Sequence, residues 1–232
     1  MTIKNARNFV CILTFAGLIF LSCVSNPTTP QPSPADGNSL ATLVASGQSA
    51  EVKKRFTNAE SVNQKDAQGQ TLLHVAALQN NADMVQILLD LKADTRIKNN
   101  SGETAMAAAV NAGCYDAVKT LALAGSDIFA TNAAGMSVYN QARQRGPDAF
   151  SAILSPATIV LQDPDGKTAL HHACASLDED AVSAILAVGS PSSRTDSTGE
   201  TPLAASYKNP VSDASARIAS LILLAAGEPL RG

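Results

Sequence analysis

From residue 70 onward, apolar positions fall in short paired blocks at helical spacing. Leu72, Leu73, Ala76 and Ala77 form a first block, and Val85, Leu88 and Leu89 form its companion. Later companions are Val118 and Leu121, then Val182, Ile185 and Leu186. A polar turn with a glycine precedes each first block, at Gly69, Gly102, Gly135, Gly166 and Gly199, spaced 33, 33, 31 and 33 residues apart. Two residues after each glycine stands a hydroxyl: Thr71, Thr104, Ser137, Thr168 and Thr201. A fixed period with matched neighbours predicts a stack of similar helix–turn–helix units, each burying its apolar face only against its neighbours.

Each part of the motif has a physical role. The glycine supplies a left-handed turn, the hydroxyl caps the first helix, and Pro202 suits a first helical position because its missing N–H would be unpaired there anyway. Asn80, Gly113 and Gly146, each eleven residues after a periodic glycine, are expected to end the first helix. Counting back one period from Gly69 places Leu40, Leu43, Gly47, Val52, Val62 and Asn63 on repeat positions, which predicts an N-terminal capping unit.

Thr71-Leu72-Leu73-His74-Val75-Ala76, Thr168-Ala169-Leu170-His171-His172-Ala173 and Thr201-Pro202-Leu203 together resemble the ankyrin repeat, whose signature contains T-P-L-H-x-A. The resemblance spans residues 36–232. It implies an all-α ankyrin-repeat solenoid of about six units with projecting inter-repeat hairpin loops. The units run 36–68 (N-terminal cap), 69–101, 102–134, 135–165, 166–198 and 199–232 (C-terminal cap). The 135–165 unit departs most. It has Tyr139 where leucine is expected, Arg143 where a small residue is expected, and a two-residue deletion, so it is expected to be the weak joint. The last unit lengthens its inter-helix loop through Asn209-Pro210-Val211-Ser212-Asp213.

The first 35 residues read differently. Lys4 and Arg7 precede an apolar run over residues 9–21, broken only by Thr14 and Gly17. Thirteen residues are too short to span a hydrocarbon core of about 30 Å as a helix, but they fit a signal-peptide h-region. Phe20-Leu21-Ser22-Cys23 resembles a bacterial lipobox, with Phe20 where leucine is usual. That implies a signal peptide over 1–22, acylation of Cys23 and a lipid-attached linker over 23–35. An ordinary secretory signal cut near Ser25 and an uncleaved anchor are the alternatives. Two or three acyl chains suffice for stable anchoring. Four prolines within residues 26–34 favour polyproline II and a stalk of about 25–30 Å. The expected location is a bacterial cell envelope, lipid-anchored and facing the periplasm or the exterior.

Composition narrows the chemistry. Aromatics make up 4% and tryptophan is absent, so the core is aliphatic and suited to thin, closely packed helical layers. A formal charge of −3, or −5 for a chain starting at Cys23 with 15 basic and 20 acidic residues, gives no nucleic-acid footprint. Lys53-Lys54-Arg55, the only basic triplet, reads as a solvated helix face. His171-His172-x-Cys174 has ligand types suited to zinc, but His171 and Cys174 occupy ordinary repeat positions and no further ligand pair is near in sequence. Cys114 and Cys174 lie two units apart, roughly 20 Å at helix-packing distances, beyond disulfide reach. Both are expected to stay thiols. Cys114, just before a helix, could be activated there or be an inert half-buried residue. Asp178-Glu179-Asp180 reads as an acidic helix N-terminus. Neither a phosphate-binding glycine loop nor a hydrolase or zincin motif is present, and no cofactor or metal is expected.

Ankyrin stacks in general bind through their inter-repeat tips and the concave surface of the first helices. Transferred position by position, this implies a partner-binding face of Ala67, Gln68, Gln70 and Gln79; Asn100, Ser101, Glu103 and Asn111; Ala134, Met136, Gln144 and Arg145; Asp165 and Lys167; Thr198 and Glu200. Arg145 and Met136 are the expected anchors, since both residue types are enriched at interfaces. The expected role is that of a monomeric, non-catalytic, membrane-tethered binder of another protein. Alternatives are an immunity-type neutraliser of a toxin or enzyme, a small-ligand or metal-binding envelope protein, and an enzyme using Asp178, Glu179 or His172.

Overall fold

The structure, a computed structural model, describes residues 40–56, 62–208 and 213–227. The leader, Cys23, the proline-rich stretch and the loop at 209–212 lie outside them. Twelve helices and no strands occur among the described residues. They are α1 (Leu40–Ala45), α2 (Ser49–Phe56), α3 (Leu72–Leu78), α4 (Ala82–Asp90), α5 (Ala105–Ala112), α6 (Tyr115–Leu123), α7 (Val138–Arg145), α8 (Pro147–Ile153), α9 (Ala169–Ala175), α10 (Glu179–Ala187), α11 (Pro202–Ser206) and α12 (Asp213–Ala225).

The hydroxyl row starts the first helices as expected. Thr104, Ser137 and Thr201 accept hydrogen bonds from the N–H groups of Ala107, Asn140 and Ala204. Thr71 and Thr168 use a histidine instead. The Thr71 N–H donates to His74 Nδ1 at 3.2 Å, and the ring's Nε2 meets the Glu103 carbonyl of the next unit at 3.0 Å. With Nδ1 accepting, Nε2 carries the proton and donates. His171 repeats this between Thr168 and Glu200. Each histidine therefore ties its own helix start to the following unit.

The second turns end the first helices as expected, with two different geometries. Asn80 (φ 51°) and Gly113 (φ 77°) adopt left-handed conformations, whereas Gly146 (φ 113°, ψ −177°) joins α7 directly to α8. Besides Asn80, two left-handed residues carry a side chain where other units have glycine. They are Leu177 (φ 53°), at the position of Gly113, and Lys92 (φ 67°), at the position of Gly125 and Gly189. The repeat's register overrides the local cost of about 1–2 kcal/mol.

First helices stack on first helices and second helices on second. The core is largely alanine, valine, leucine and isoleucine, with Ala76, Ala109, Ala142 and Ala173 fully buried. Close packing runs from α1 through α3 and α5 to α7, resuming between α9 and α11. On the other layer it runs from α2 through α4 and α6 to α8, resuming between α10 and α12. The α7–α9 and α8–α10 pairs approach less closely. Large side chains fill that joint. The Tyr139 ring lies 5.5 Å from Phe150 and 5.7 Å from His172, and Phe129 lies 5.4 Å from His172. Arg143 stands 4.6 Å above the Phe150 ring and forms an ion pair with Asp178. The divergent residues of the 135–165 unit thus span a wider gap than alanine could.

Candidate functional site

Every inter-repeat tip is built on one device. An aspartate or asparagine three residues before the glycine accepts two backbone N–H groups on its Oδ1, two and four residues ahead. Asp66 does this for Gln68 and Gln70, Asn99 for Ser101 and Glu103, and Asn132 for Ala134 and Met136. Asp163 serves Asp165 and Lys167, and Asp196 serves Thr198 and Glu200. The Thr198 hydroxyl and these N–H groups hold the Asp196 carboxyl down at about 2. Burial pushes Asp163 up, but the Lys167 N–H and His172 outweigh it and leave it below the ordinary carboxylate range. The row Asp66, Asn99, Asn132, Asp163, Asp196 was legible in the sequence as a fixed offset from the glycines.

Tips also bond to one another. The Asn100 N–H donates to the Gln68 carbonyl at 3.0 Å, Ala133 to Ser101 at 3.2 Å, and Ser197 to Asp165 at 3.0 Å. Two antiparallel bridges, Lys98 with Thr104 and Thr131 with Ser137, give the tips their hairpin character.

The expected partner-binding residues divide into two groups. Several are engaged within the stack. The Asn100 side chain donates to the Ala67 carbonyl at 3.0 Å, Asn111 Nδ2 donates to Glu103 Oε1 at 2.6 Å, and Lys208 donates to Glu200 at 2.6 Å. Thr198 is bound to Asp196, and Lys167 sits 3.9 Å from Asp165. Gln68, Gln70, Gln79, Gln144 and Arg145 make no side-chain hydrogen bond among the described residues, and all but half-buried Gln70 are exposed. Ser101 and Ala134 are exposed at their tips, and Met136 is half-buried.

The residues considered for catalysis are each engaged separately. Asp178 caps α10 through the Ala181 N–H at 3.0 Å and pairs with Arg143. Arg217 grips Glu179 with two nitrogens at 2.7 and 2.9 Å, holding its carboxyl below the usual range. His172 Nε2 meets Asp163 Oδ2 at 2.8 Å. Among the described residues no His, Cys, Asp or Glu group has the makings of a metal site, and no helix is long and apolar enough to cross a membrane. Cys114 is buried, with its thiol donating to the Leu78 carbonyl at 3.4 Å. Burial pushes the Cys174 thiol up to about 12. Cys114 is therefore more enclosed than the half-buried residue foreseen. The sequence reading missed the Glu179–Arg217 pair, which borders an open groove of about 410 Å³ lined by Leu221 and Leu224.

Residues 39–132 match the family model for ankyrin repeats (three copies). The chain is 31% identical over 151 residues, 64% of its length, to the neurogenic locus notch homolog protein 1 of Homo sapiens, and equally to that of Mus musculus. The match spans only 6% of those much longer relatives. Among solved structures, the ankyrin repeat domain of Bcl-3, a member of the IkappaB protein family, is 26% identical, with 78% of this chain and 81% of that chain covered at a TM-score of 0.51. A chain of the complex between the Bdellovibrio bacteriovorus endopeptidase Bd0816 and the immunity protein Bd3460 is 26% identical, with 80% and 99% covered at a TM-score of 0.45. Ankyrin repeats are in general non-catalytic modules of protein–protein interaction. The chain carries ankyrin repeats and has the ankyrin-repeat fold.

Proposed function

We propose that this protein is a membrane-tethered module that binds another protein on the extracytoplasmic side of a bacterial envelope, through its tips and the concave ends of its first helices. The observation that carries the reading is the set of polar side chains that the fold itself does not use: Gln68, Gln70, Gln79, Gln144 and Arg145. Long polar side chains held on a stack of helices present donors and acceptors at fixed spacing, which suits an interface of ordinary size, about 800 Å² per partner. Arg145 remains the favoured anchor; half-buried Met136 offers a smaller contact. The tether rests on the sequence alone, through Lys4, Arg7, the apolar run and Ser22-Cys23.

Two measurements test the proposal. The full chain is used as bait in envelope extract. A specific protein captured by the wild type and lost on Gln144→Ala/Arg145→Ala supports the binding face, whereas no specific capture contradicts it. Cys23→Ser should abolish acyl labelling and release the protein from the membrane fraction; unchanged retention would rule out the lipid anchor.

A further inference from the structure

One seam in the row of tips is open. At three joints the residue two before the periodic glycine donates its backbone N–H to the residue just before the previous glycine, as Asn100 does to Gln68, Ala133 to Ser101 and Ser197 to Asp165. At the fourth joint the donor position is Pro164, which has no N–H. Among the described residues nothing donates to the Ala134 carbonyl.

A second ladder fails at the same joint. Four residues before Gly69, Gly102 and Gly166, a long side chain reaches the equivalent carbonyl of the next unit. Lys65 Nζ donates to the Lys98 carbonyl at 2.8 Å, Lys98 Nζ to Thr131 at 2.6 Å, and Gln162 Nε2 to Thr195 at 3.3 Å. The residue that should reach Gln162 is Thr131, whose side chain is too short, and the Gln162 carbonyl receives no hydrogen bond. The glycines report the same gap. A methyl group added at Gly69, Gly102 or Gly166 would meet the next tip's backbone nitrogen at 2.9, 2.6 and 2.6 Å, but at Gly135 it would meet nothing within 4 Å.

We propose that this seam, between the tips at 131–136 and 162–167, is the docking slot for a lysine side chain carried by an extended segment of the protein partner. The inference rests on the partner-binding reading above and names where and how that partner is held. The molecule itself shows what fits. At two other joints the equivalent place is taken by a lysine ammonium donating to a carbonyl in register with that of Gln162. The unpaired groups here are acceptors: the carbonyls of Ala134 and Gln162. An ammonium group has three donors and no acceptor, and the peptide N–H groups flanking it can reach Ala134. The nearby cations are already placed, Lys167 beside Asp165 and Arg194 on the Val160 carbonyl at 3.1 Å. Exposed Thr131, Ala134, Gly135 and Pro164 leave the entrance open.

The test uses the full chain against an array of extended peptides scanned with lysine, norleucine and glutamine at each position. Lysine should be preferred over norleucine at one position by about tenfold, the scale of a charge-assisted hydrogen bond. Thr131→Lys fills the slot from within, so it should abolish that preference without lowering the melting temperature. Thr131→Gln, which copies Gln162, should weaken the preference and serves if the lysine variant folds poorly. Equal binding of lysine and norleucine peptides, or a lysine preference that survives both variants, overturns the proposal. If envelope capture persists in Thr131→Lys but fails in Gln144→Ala/Arg145→Ala, the slot is refuted while the binding face stands.

Discussion

Arg143→Ala should cost more than its position in a repeat suggests, because the arginine bridges the least closely packed joint. Its ion pair with Asp178 is about one quarter exposed on each side, at 29% for Arg143 and 23% for Asp178. That places it between surface pairs worth about 0–1 kcal/mol and buried pairs whose breakage costs about 3–5 kcal/mol. About 1.5–2.5 kcal/mol is reasonable, and the lower end is favoured because Asp178 keeps its bond to the Ala181 N–H. Losing the guanidinium over the Phe150 ring adds about 0.5–1 kcal/mol. The total of about 2–3.5 kcal/mol is a large share of a typical domain stability of about 5–15 kcal/mol. In a stack whose stability is a sum of neighbour terms, the loss should also uncouple α9–α12 from α1–α8. Urea unfolding followed by circular dichroism should show a lower midpoint and a shallower or two-step transition. An Arg143–Asp178 double-mutant cycle should return a coupling of about 1–2 kcal/mol. A cost below about 0.5 kcal/mol, with an unchanged slope and zero coupling, would refute this account of the joint.

Two further outcomes follow from the turns and the histidine links. Burial lowers the pKa of His74, so the folded protein resists a proton that the unfolded chain accepts. Stability should therefore be fully present above the unfolded value of about 6.5 and fall as pH drops toward the folded one, by up to about 1.4 kcal/mol per pH unit. Urea midpoints between pH 7.5 and 5 read this, since the lowered carboxylates Asp94, Asp163, Glu179 and Asp196 act at lower pH. His74→Gln should flatten that slope, and a wild type insensitive to pH in this window contradicts the mechanism. Lys92→Gly should raise stability by about 0.5–1 kcal/mol, the left-handed penalty removed less the extra chain entropy of glycine. A lower melting temperature for Lys92→Gly would mean that the lysine's stem contributes packing that its exposure conceals.

Local signals carried most of the fold. Glycine, hydroxyl and apolar block recur at fixed offsets, and each has a one-residue physical meaning, so Thr104, Ser137 and Thr201 could be assigned as caps from their position alone. Lys92 and Leu177 could not be assigned as left-handed from residue type. The units on either side impose that conformation, and only the register points to it. The site was legible to a lesser degree. Glu103, Asn111, Asn100 and Glu200 occupy binding positions but find hydrogen-bond partners inside the stack. The Asn111–Glu103 and Lys208–Glu200 pairs each join residues eight apart within one unit, whereas Asn100 finds Ala67 one period away. The pairing of Arg143 with Asp178, and the gathering of Phe129, Tyr139, Phe150 and His172, likewise depend on how two units meet. From sequence only Tyr139 and Arg143 registered as departures from the repeat.

Periodicity also explains where binding capacity can remain. In an uninterrupted ladder each tip's carbonyl and N–H are taken by the neighbours, so a regular stack offers its backbone to partners only at its ends. Gly199, on the last tip, would place an added methyl in open space, as an end should. Gly135 has the same openness in the middle of the stack. Proline at 164 removes a donor, threonine at 131 shortens a side chain, and the two-residue deletion lies in the unit between them. These changes coincide with the joint where helix layers separate and aromatic side chains fill in. A wider layer spacing draws the tips apart, and separated tips leave carbonyls unpaired. The same departures that loosen the stack therefore create its most distinctive exposed surface. A variant that closes the seam, such as Thr131→Lys, should strengthen the joint as it removes the slot.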